Sequence, residues 1–418
     1  MKKLFFLLLL FITMSSFGQA FVANYDESKL PAYTLPDPLL FNNGKTVRNK
    51  ADWEKRRIEL LTLFENEVYG KTPAGKVELS AVVISQNNDL LNGTATRREV
   101  QLKLKNKEAE VVLNLLIYLP KSTQRVPLFL GYNFNGNHTV TADPEIAVTH
   151  AWVRNNPAQG ITSNRSNESL RGSDASSWPV IEIISRGYGV ATLYYGEVDP
   201  DFDDGFRNGV HALYPGKRDS TSWGSIAGWA WGLSRVMDWL QKEKSIDAQK
   251  IIVLGHSRLG KAALWAGIND PRFAMVVSNE SGCGGAALSK RIYGETVERI
   301  NSSFPHWFCM NFRKYNNKEE NLPVDQHELL ALIAPRPLYV CSAEEDRWSD
   351  PKGEFLSCVG ASPVYRLLGK EGFPATEFPG LEQPVTGTIG YHIRPGKHDI
   401  KPYDWKCFMN FADGFFKK

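Results

Sequence analysis

The segment Lys250-Ile-Ile-Val-Leu-Gly-His-Ser257-Arg258-Leu-Gly-Lys261 places the residue types of acyl-transfer chemistry in a context that suits it. A β-branched run ends at Leu254, a turn holds Ser257, and an Ala-rich helix follows from Lys261. A serine on such a strand–turn–helix is lifted clear of the sheet, and the amides at the helix start face any negative charge that develops beside it. The glycine spacing is Gly255-x-Ser257-x-x-Gly260, with Leu259 where the common elbow pattern has its second glycine. Arg258 either adds a charged donor to an oxyanion site or is held in a salt bridge.

A serine hydroxyl attacks a carbonyl well only when a histidine takes its proton and a carboxylate orients that histidine. His398, in Pro395-Gly-Lys-His398-Asp399 just ahead of the last helical segment, stands where a base delivered late in the chain would stand. His392 reads as structural. His256 is adjacent to the serine, and adjacent side chains diverge. Two acids compete for the third role. Glu280 follows the apolar run 275–278, and Asp346 follows the run 337–341. Both strand ends reach the same edge of a parallel sheet. Position after the later strand favours Asp346, but the residues alone leave both open.

The elements that must position these groups are legible as periodicities. Asn49 caps a helix running through Trp53, Ile58, Leu61, Phe64 and Val68, and Gly70 ends it. Three strand patterns follow at 77–84, 99–104 and 109–119, the second alternating polar and apolar as a strand with one wet face does. Short buried runs at 126–130, 189–194, 250–254, 275–278 and 337–341 then alternate with helices, among them 225–241, 261–267 and 403–416. Antiparallel strands first and a βα series after predict an α/β-hydrolase fold. That is a three-layer αβα sandwich on a mostly parallel sheet, with residues 21–418 as one catalytic domain.

Residues 1–20 read as a cleaved secretory signal: Lys2 and Lys3, an apolar run too short to span a bilayer, and small residues up to Ala20. No cysteine lies near the cut, so a periplasmic or secreted protein without a lipid anchor is expected. Without Lys2 and Lys3 the 49 basic residues fall to 47 and nearly balance the 46 acidic ones, which gives no electrostatic reason to bind nucleic acid or an anionic membrane. The five cysteines are an odd number, so at least one is free or paired between chains. No Cys/His cluster has metal spacing, and neither a metal nor a cofactor is expected. A monomer is the expected state. Eleven tryptophans and fifteen tyrosines point weakly to carbohydrate, since core packing accounts for most such residues.

The segments Gly255-His-Ser-Arg-Leu-Gly-Lys261, Ser278-Asn-Glu-Ser-Gly282, Phe304-Pro-His-Trp-Phe308, Asp325-Gln-His-Glu-Leu-Leu330, Ile333-Ala-Pro-Arg-Pro337 and Gly396-Lys-His398 resemble the glucuronoyl esterases of carbohydrate esterase family 15, above all their bacterial members. The resemblance implies cleavage of the ester between the 4-O-methylglucuronate of xylan and a lignin alcohol. It implies Ser257 as nucleophile, His398 as base, Glu280 as the usual acid and Asp346 as the auxiliary acid of bacterial members. It further implies Arg258 as the oxyanion arginine, with Lys261, Glu295 and Trp348 holding the sugar. Fungal members staple serine and histidine loops through neighbouring cysteines. His256 and Asp399 occupy those positions here, which leaves nucleophile and base to packing alone. The alternatives are an acetyl esterase of the same fold acting on xylan and a catalytically dead polysaccharide-binding protein. The complete set of Ser257, His398, Glu280 and Asp346 argues against the latter.

Overall fold

The computed structural model describes residues 21–417, so the expected signal lies outside the described residues. Among the described residues, ten strands form one sheet: β1 (Glu78–Leu90), β2 (Ala95–Asn106), β3 (Ala109–Pro120), β4 (Val126–Asn133), β5 (Gly189–Tyr194), β6 (Ile246–His256), β7 (Met275–Asn279), β8 (Leu338–Ala343), β9 (Val385–Thr386) and β10 (Ile389–Arg394). Their spatial order is β1-β2-β3-β5-β4-β6-β7-β8-β10-β9. Pairing is antiparallel from β1 through β5, parallel from β5 to β10, and antiparallel again at β9.

The helices are α1 (Lys50–Phe64), α2 (Val180–Ser185), α3 (Tyr195–Val198), α4 (Ser225–Leu240), α5 (Arg258–Asn269), α6 (Val297–Ser303), α7 (Gln326–Ala331), α8 (Pro351–Leu367) and α9 (Pro402–Phe416). Successive side chains of a strand point to opposite faces, so each central strand feeds two cores. In β4, Leu128 and Leu130 join Leu233 of α4, Leu264 of α5 and Phe355 of α8 on one face. Phe129 joins Ile183 of α2 and Trp405 and Phe408 of α9 on the other. This is the α/β-hydrolase sandwich that the alternation of runs predicted.

The chain runs from β4 outward to β5, then returns to lay β6 on the other side of β4. The loops that leave β4 and β6 therefore diverge, and a crevice opens between their carboxyl ends. The elbow serine lies at that crevice.

Several elements differ from the sequence reading. The first helix ends in a π turn, Glu65–Tyr69, before Gly70 at φ +84°, where a side chain would meet the Trp223 backbone at 2.4 Å. The helix after the elbow starts at Arg258, not Lys261. Two elements carried no recognisable pattern. Helix α8 contains Pro363 and two glycines, yet Phe355, Cys358, Ala361 and Val364 bury one face of it. Strand β10 is buried throughout but contains His392 and Arg394, whose polarity masks it. All five cysteines are free and buried. No helix among the described residues is long and apolar enough to cross a membrane.

Asn49 Oδ1 accepts the Asp52 amide at 3.0 Å and caps α1 as predicted. Asn49→Ala should lower unfolding free energy by about 1 kcal/mol without changing turnover, as read from denaturant titration and esterase rate.

Candidate active site

The end of β6 delivers Ser257 in a backbone conformation, φ 57° and ψ −129°, that side-chain-bearing residues rarely adopt. Its neighbours make the turn possible. A Cβ on Gly255 would lie 1.9 Å from the Leu259 carbonyl oxygen, so only glycine fits beneath the elbow. The displaced second glycine, Gly260, lies against Ser281, where a Cβ would come within 3.0 Å, and Leu259 fills the core instead. The Ser257 amide donates to the Asn279 carbonyl at 2.9 Å, tying the elbow to β7.

Ser257, Arg258, His256 and His398 line one cavity of about 270 Å³, whose walls include Phe134, Trp178 and Ile400. His398 comes from the loop between β10 and α9. Its Nδ1 donates to Asp346 Oδ2 at 2.6 Å and lies 3.1 Å from Glu280 Oε2. Both acids proposed from the sequence thus meet the same nitrogen, which leaves Nε2 as the free ring nitrogen. Asp346 makes the shorter contact. Burial pushes the Asp346 carboxyl up, but hydrogen bonds from His398 and Ser349 outweigh it and hold the group below its usual value. Burial drives Glu280 up to about 7, against the pull of His398 and Arg394. Partial burial disfavours the His398 imidazolium, but the two carboxylates prevail and raise its pKa above the ordinary value.

His256 does more than diverge from the serine. Its ring lies 4.4 Å from that of His398, and its Nδ1 donates to Asn279 Oδ1 at 2.5 Å. Burial, then the nearby imidazolium, lowers its pKa to about 3, so it stays neutral beside His398. The Asp399 amide donates to Glu280 Oε2 at 3.0 Å. The expectation that packing alone positions nucleophile and base is therefore corrected, because hydrogen bonds hold the histidine loop.

Arg258 faces the cavity and is also ion-paired, so both readings of it hold in part. It binds the fully buried Asp201, and its guanidinium lies 4.9 Å from the Trp307 ring centre. Asp201 also accepts from His306 Nε2 at 2.9 Å, Trp307 Nε1 at 2.8 Å and the Tyr195 hydroxyl at 3.1 Å. Burial would raise the Asp201 carboxyl, but these donors and the Arg258 charge hold it well below its usual range. Sequence reasoning missed Asp201. The only signal was Phe304-Pro-His-Trp-Phe308, which supplies two of its donors.

Lys261, Glu295 and Trp348 come together beside Arg258 but do not line the 270 Å³ cavity. Lys261 lies buried in the first turn of α5, with Nζ 5.6 Å from the Trp307 ring centre. The Glu295 amide donates to the Trp348 carbonyl at 3.0 Å. Burial raises the Glu295 carboxyl, opposed by the Lys261 charge and a Trp348 hydrogen bond. Among the described residues, two clusters bring metal-ligand atoms within reach of one another, His256–Glu280–His398 and Cys341–His392–Asp404. In each, the carboxylate already binds Arg394, with which a cation would compete.

Comparison with known proteins gives the family. The family model described as "Glucuronyl esterase, fungi" matches residues 176–369. Carbohydrate esterase MZ0003, from an unknown prokaryotic organism, is 51% identical over 397 residues, covering 93% of this chain and 91% of its own. The chain belongs to carbohydrate esterase family 15, the glucuronoyl esterases. A 4-O-methyl-glucuronoyl methylesterase from Wolfiporia cocos is 28% identical, over 82% of this chain and 74% of its own. Among solved structures, a promiscuous family 15 esterase from a marine bacterial metagenome superposes with a TM-score of 0.89 at 51% identity, over 94% of this chain and 99% of that one. A glucuronoyl esterase from Solibacter usitatus gives 0.88 at 45%, over 94% and 100%. The protein is a carboxylic ester hydrolase of this family.

The rate should depend on a neutral His398. Its raised pKa puts the acid limb of kcat/KM above pH 6.5, with activity lost as pH falls through it. Asp346→Asn removes an anion that stabilises the imidazolium and should move the limb down. A limb at 6.5 that ignores the substitution would refute the pairing. A charge-assisted hydrogen bond contributes roughly 1.5–3 kcal/mol, so each single acid substitution should cost on the order of ten- to a hundredfold, Asp346 the more.

Proposed function

We propose that this enzyme hydrolyses the ester between the C6 carboxyl of (4-O-methyl-)glucuronate on xylan and a lignin alcohol, through an acyl-enzyme on Ser257. The observation that carries the reading is the Lys261–Glu295–Trp348 cluster beside the elbow that presents Ser257 to the His398 cavity.

His398 Nε2 takes the Ser257 proton as Oγ attacks the C6 carbonyl. The negative charge on that oxygen develops beside Arg258 and the amides at the start of α5. Asp201 fixes the guanidinium there in advance, so little reorganisation accompanies the reaction. The imidazolium, held by Asp346 and Glu280, returns its proton to the departing alcohol. Water activated by the same nitrogen then frees the uronate. Lys261 and Glu295 would bind the sugar hydroxyls, and the Trp348 indole would cover one face of the ring.

The apolar leader supports export to the periplasm or beyond after cleavage at Ala20. The sheet that runs from β1 to β9 supports a single catalytic unit over residues 21–418. A second reading, a wider acyl range that includes acetyl esters of xylan, is favoured by one observation: the metagenomic relative at 51% identity is a promiscuous esterase.

Benzyl glucuronate and 4-nitrophenyl acetate separate the two. Losing each sugar contact leaves buried polar groups unpaired at roughly 1–3 kcal/mol, so two contacts give a preference on the order of a hundredfold or more in kcat/KM for the glucuronate ester. Equal values on both esters would favour the wider range. Lys261→Met should weaken only the glucuronate reaction. Ser257→Ala should fold and retain no measurable turnover on either ester above the weak catalysis that binding and oxyanion donors supply. A tenth of wild-type turnover in that variant would displace Ser257 as nucleophile.

A further inference from the structure

Arg394 ends β10, just ahead of the loop that carries His398, and is 3% exposed. Its guanidinium finds a protein acceptor on every side. Nε lies 3.1 and 2.9 Å from the two carboxylate oxygens of Asp404. Nη1 donates to the carbonyls of Pro395 at 3.1 Å and Lys397 at 3.2 Å. Nη2 donates to Glu280 Oε1 at 2.6 Å and to the Asp399 carbonyl at 2.5 Å.

Three of these acceptors are main-chain carbonyls of the segment 395–399, so the histidine loop is wound round one side chain. His398 lies between the last two carbonyls. The Asp399 amide closes the circuit on Glu280 Oε2 at 3.0 Å. Behind Arg394, Asp404 accepts from His392 Nε2 at 2.8 Å and from the Lys401 amide at 2.7 Å, and His392 Nδ1 meets the Tyr339 hydroxyl at 3.0 Å. The chain Tyr339–His392–Asp404–Arg394–Glu280 thus reaches His398 from the buried side of the sheet. Asp346 bonds His398 but makes no hydrogen bond to Arg394.

We propose that Arg394 is a positioning residue of the active site: it templates the loop that presents His398 and pairs with Glu280 against the imidazole, so that Glu280 can act alongside Asp346. This rests on His398 as the base of the proposed function. A buried carboxylate without a cation takes up a proton. Without Arg394, Glu280 would become a neutral acid and could no longer stabilise the imidazolium. A lysine would restore one charge but not the planar fork, and it could not meet two carboxylates and three carbonyls together. The titratable groups that face Arg394 are Glu280 from the β7 end, Cys341 of β8, His392 of β10, Asp399 of its own loop and Asp404 of α9.

The test is a mutant cycle on benzyl glucuronate, with Arg394→Lys, Arg394→Met and Glu280→Gln made singly and Glu280→Gln added to each Arg394 variant. Wild type, Ser257→Ala and His398→Ala run beside them. Inactive wild type would refute the proposed substrate rather than the role of Arg394, and an active His398→Ala would refute the base. Arg394→Lys should lower kcat by on the order of tenfold or more while KM moves less than about threefold, because what is lost is alignment of the reacting groups. Glu280→Gln should slow the wild-type background by the factor measured there, yet add less than about threefold once Arg394 is replaced. Full multiplication of the two losses would overturn the proposal, and so would an Arg394→Lys enzyme with more than half of wild-type kcat. Loss of the native melting transition in both Arg394 variants would make the residue structural and overturn it equally.

Discussion

Carboxylates buried along one edge of a parallel sheet must each find a cation or give up their charge, and the site is organised around that demand. Asp201 has Arg258, His306 and two further donors, and its carboxyl is held low. Asp404 has Arg394 and His392. Glu354 supplies the contrast. It is fully buried with only hydroxyl and amide partners, and burial pushes it up to about 8. Glu280 lies between these cases, at about 7, because its two cationic partners, His398 and Arg394, only partly offset its burial. The two arginines that face the site are therefore more than counter-ions. Each one is fixed by the acid it neutralises: Asp201 holds Arg258 beside the elbow, and Arg394, held by Asp404 and Glu280, gathers the carbonyls of the histidine loop around it.

The second constraint is topological. Reversal of strand order at β4 opens the crevice where Ser257 and His398 meet, and every chemical group reaches it from the carboxyl end of a parallel strand or from a loop that follows one. Ser257 follows β6, Glu280 follows β7, Asp346 follows β8 and His398 follows β10. Two of these junctions carry strained backbone, Ser257 at φ 57° and Glu280 at φ 47°. Parallel pairing on both sides and close packing of Gly255 and Gly260 beneath the elbow over-determine that geometry, which is what lets such conformations persist.

A histidine pair takes the place of the cysteine staple expected in fungal relatives. His256, neutral and bonded to Asn279, lies against the His398 ring, while the loop beyond is closed through Glu280 and Arg394. Non-covalent bonds can thus restrain His398 where no disulfide joins the two loops, and all five cysteines are free and buried.

The serine elbow was legible in the sequence because it is local: a β-branched run, a serine between glycines and an Ala-rich helix dictate strand, turn and helix within twenty residues. The α/β alternation was legible for the same reason, as was the late histidine ahead of the last helix. Strand β10 and helix α8 were not. His392 and Arg394 look unfit for a buried strand until Asp404, on another element, is known to pair with both. Pro363 hides a helix whose apolar face becomes evident only against the sheet. The sequence offered Glu280 and Asp346 as rival acids, since both follow strands that reach the same edge. Only the tertiary structure brought both carboxylates to one imidazole nitrogen. It also supplied the Asp201–Arg258 and Arg394–Glu280 pairs, whose members lie 57 and 114 residues apart along the chain, because pairing between buried charges depends on distance in space and leaves no periodic trace in sequence.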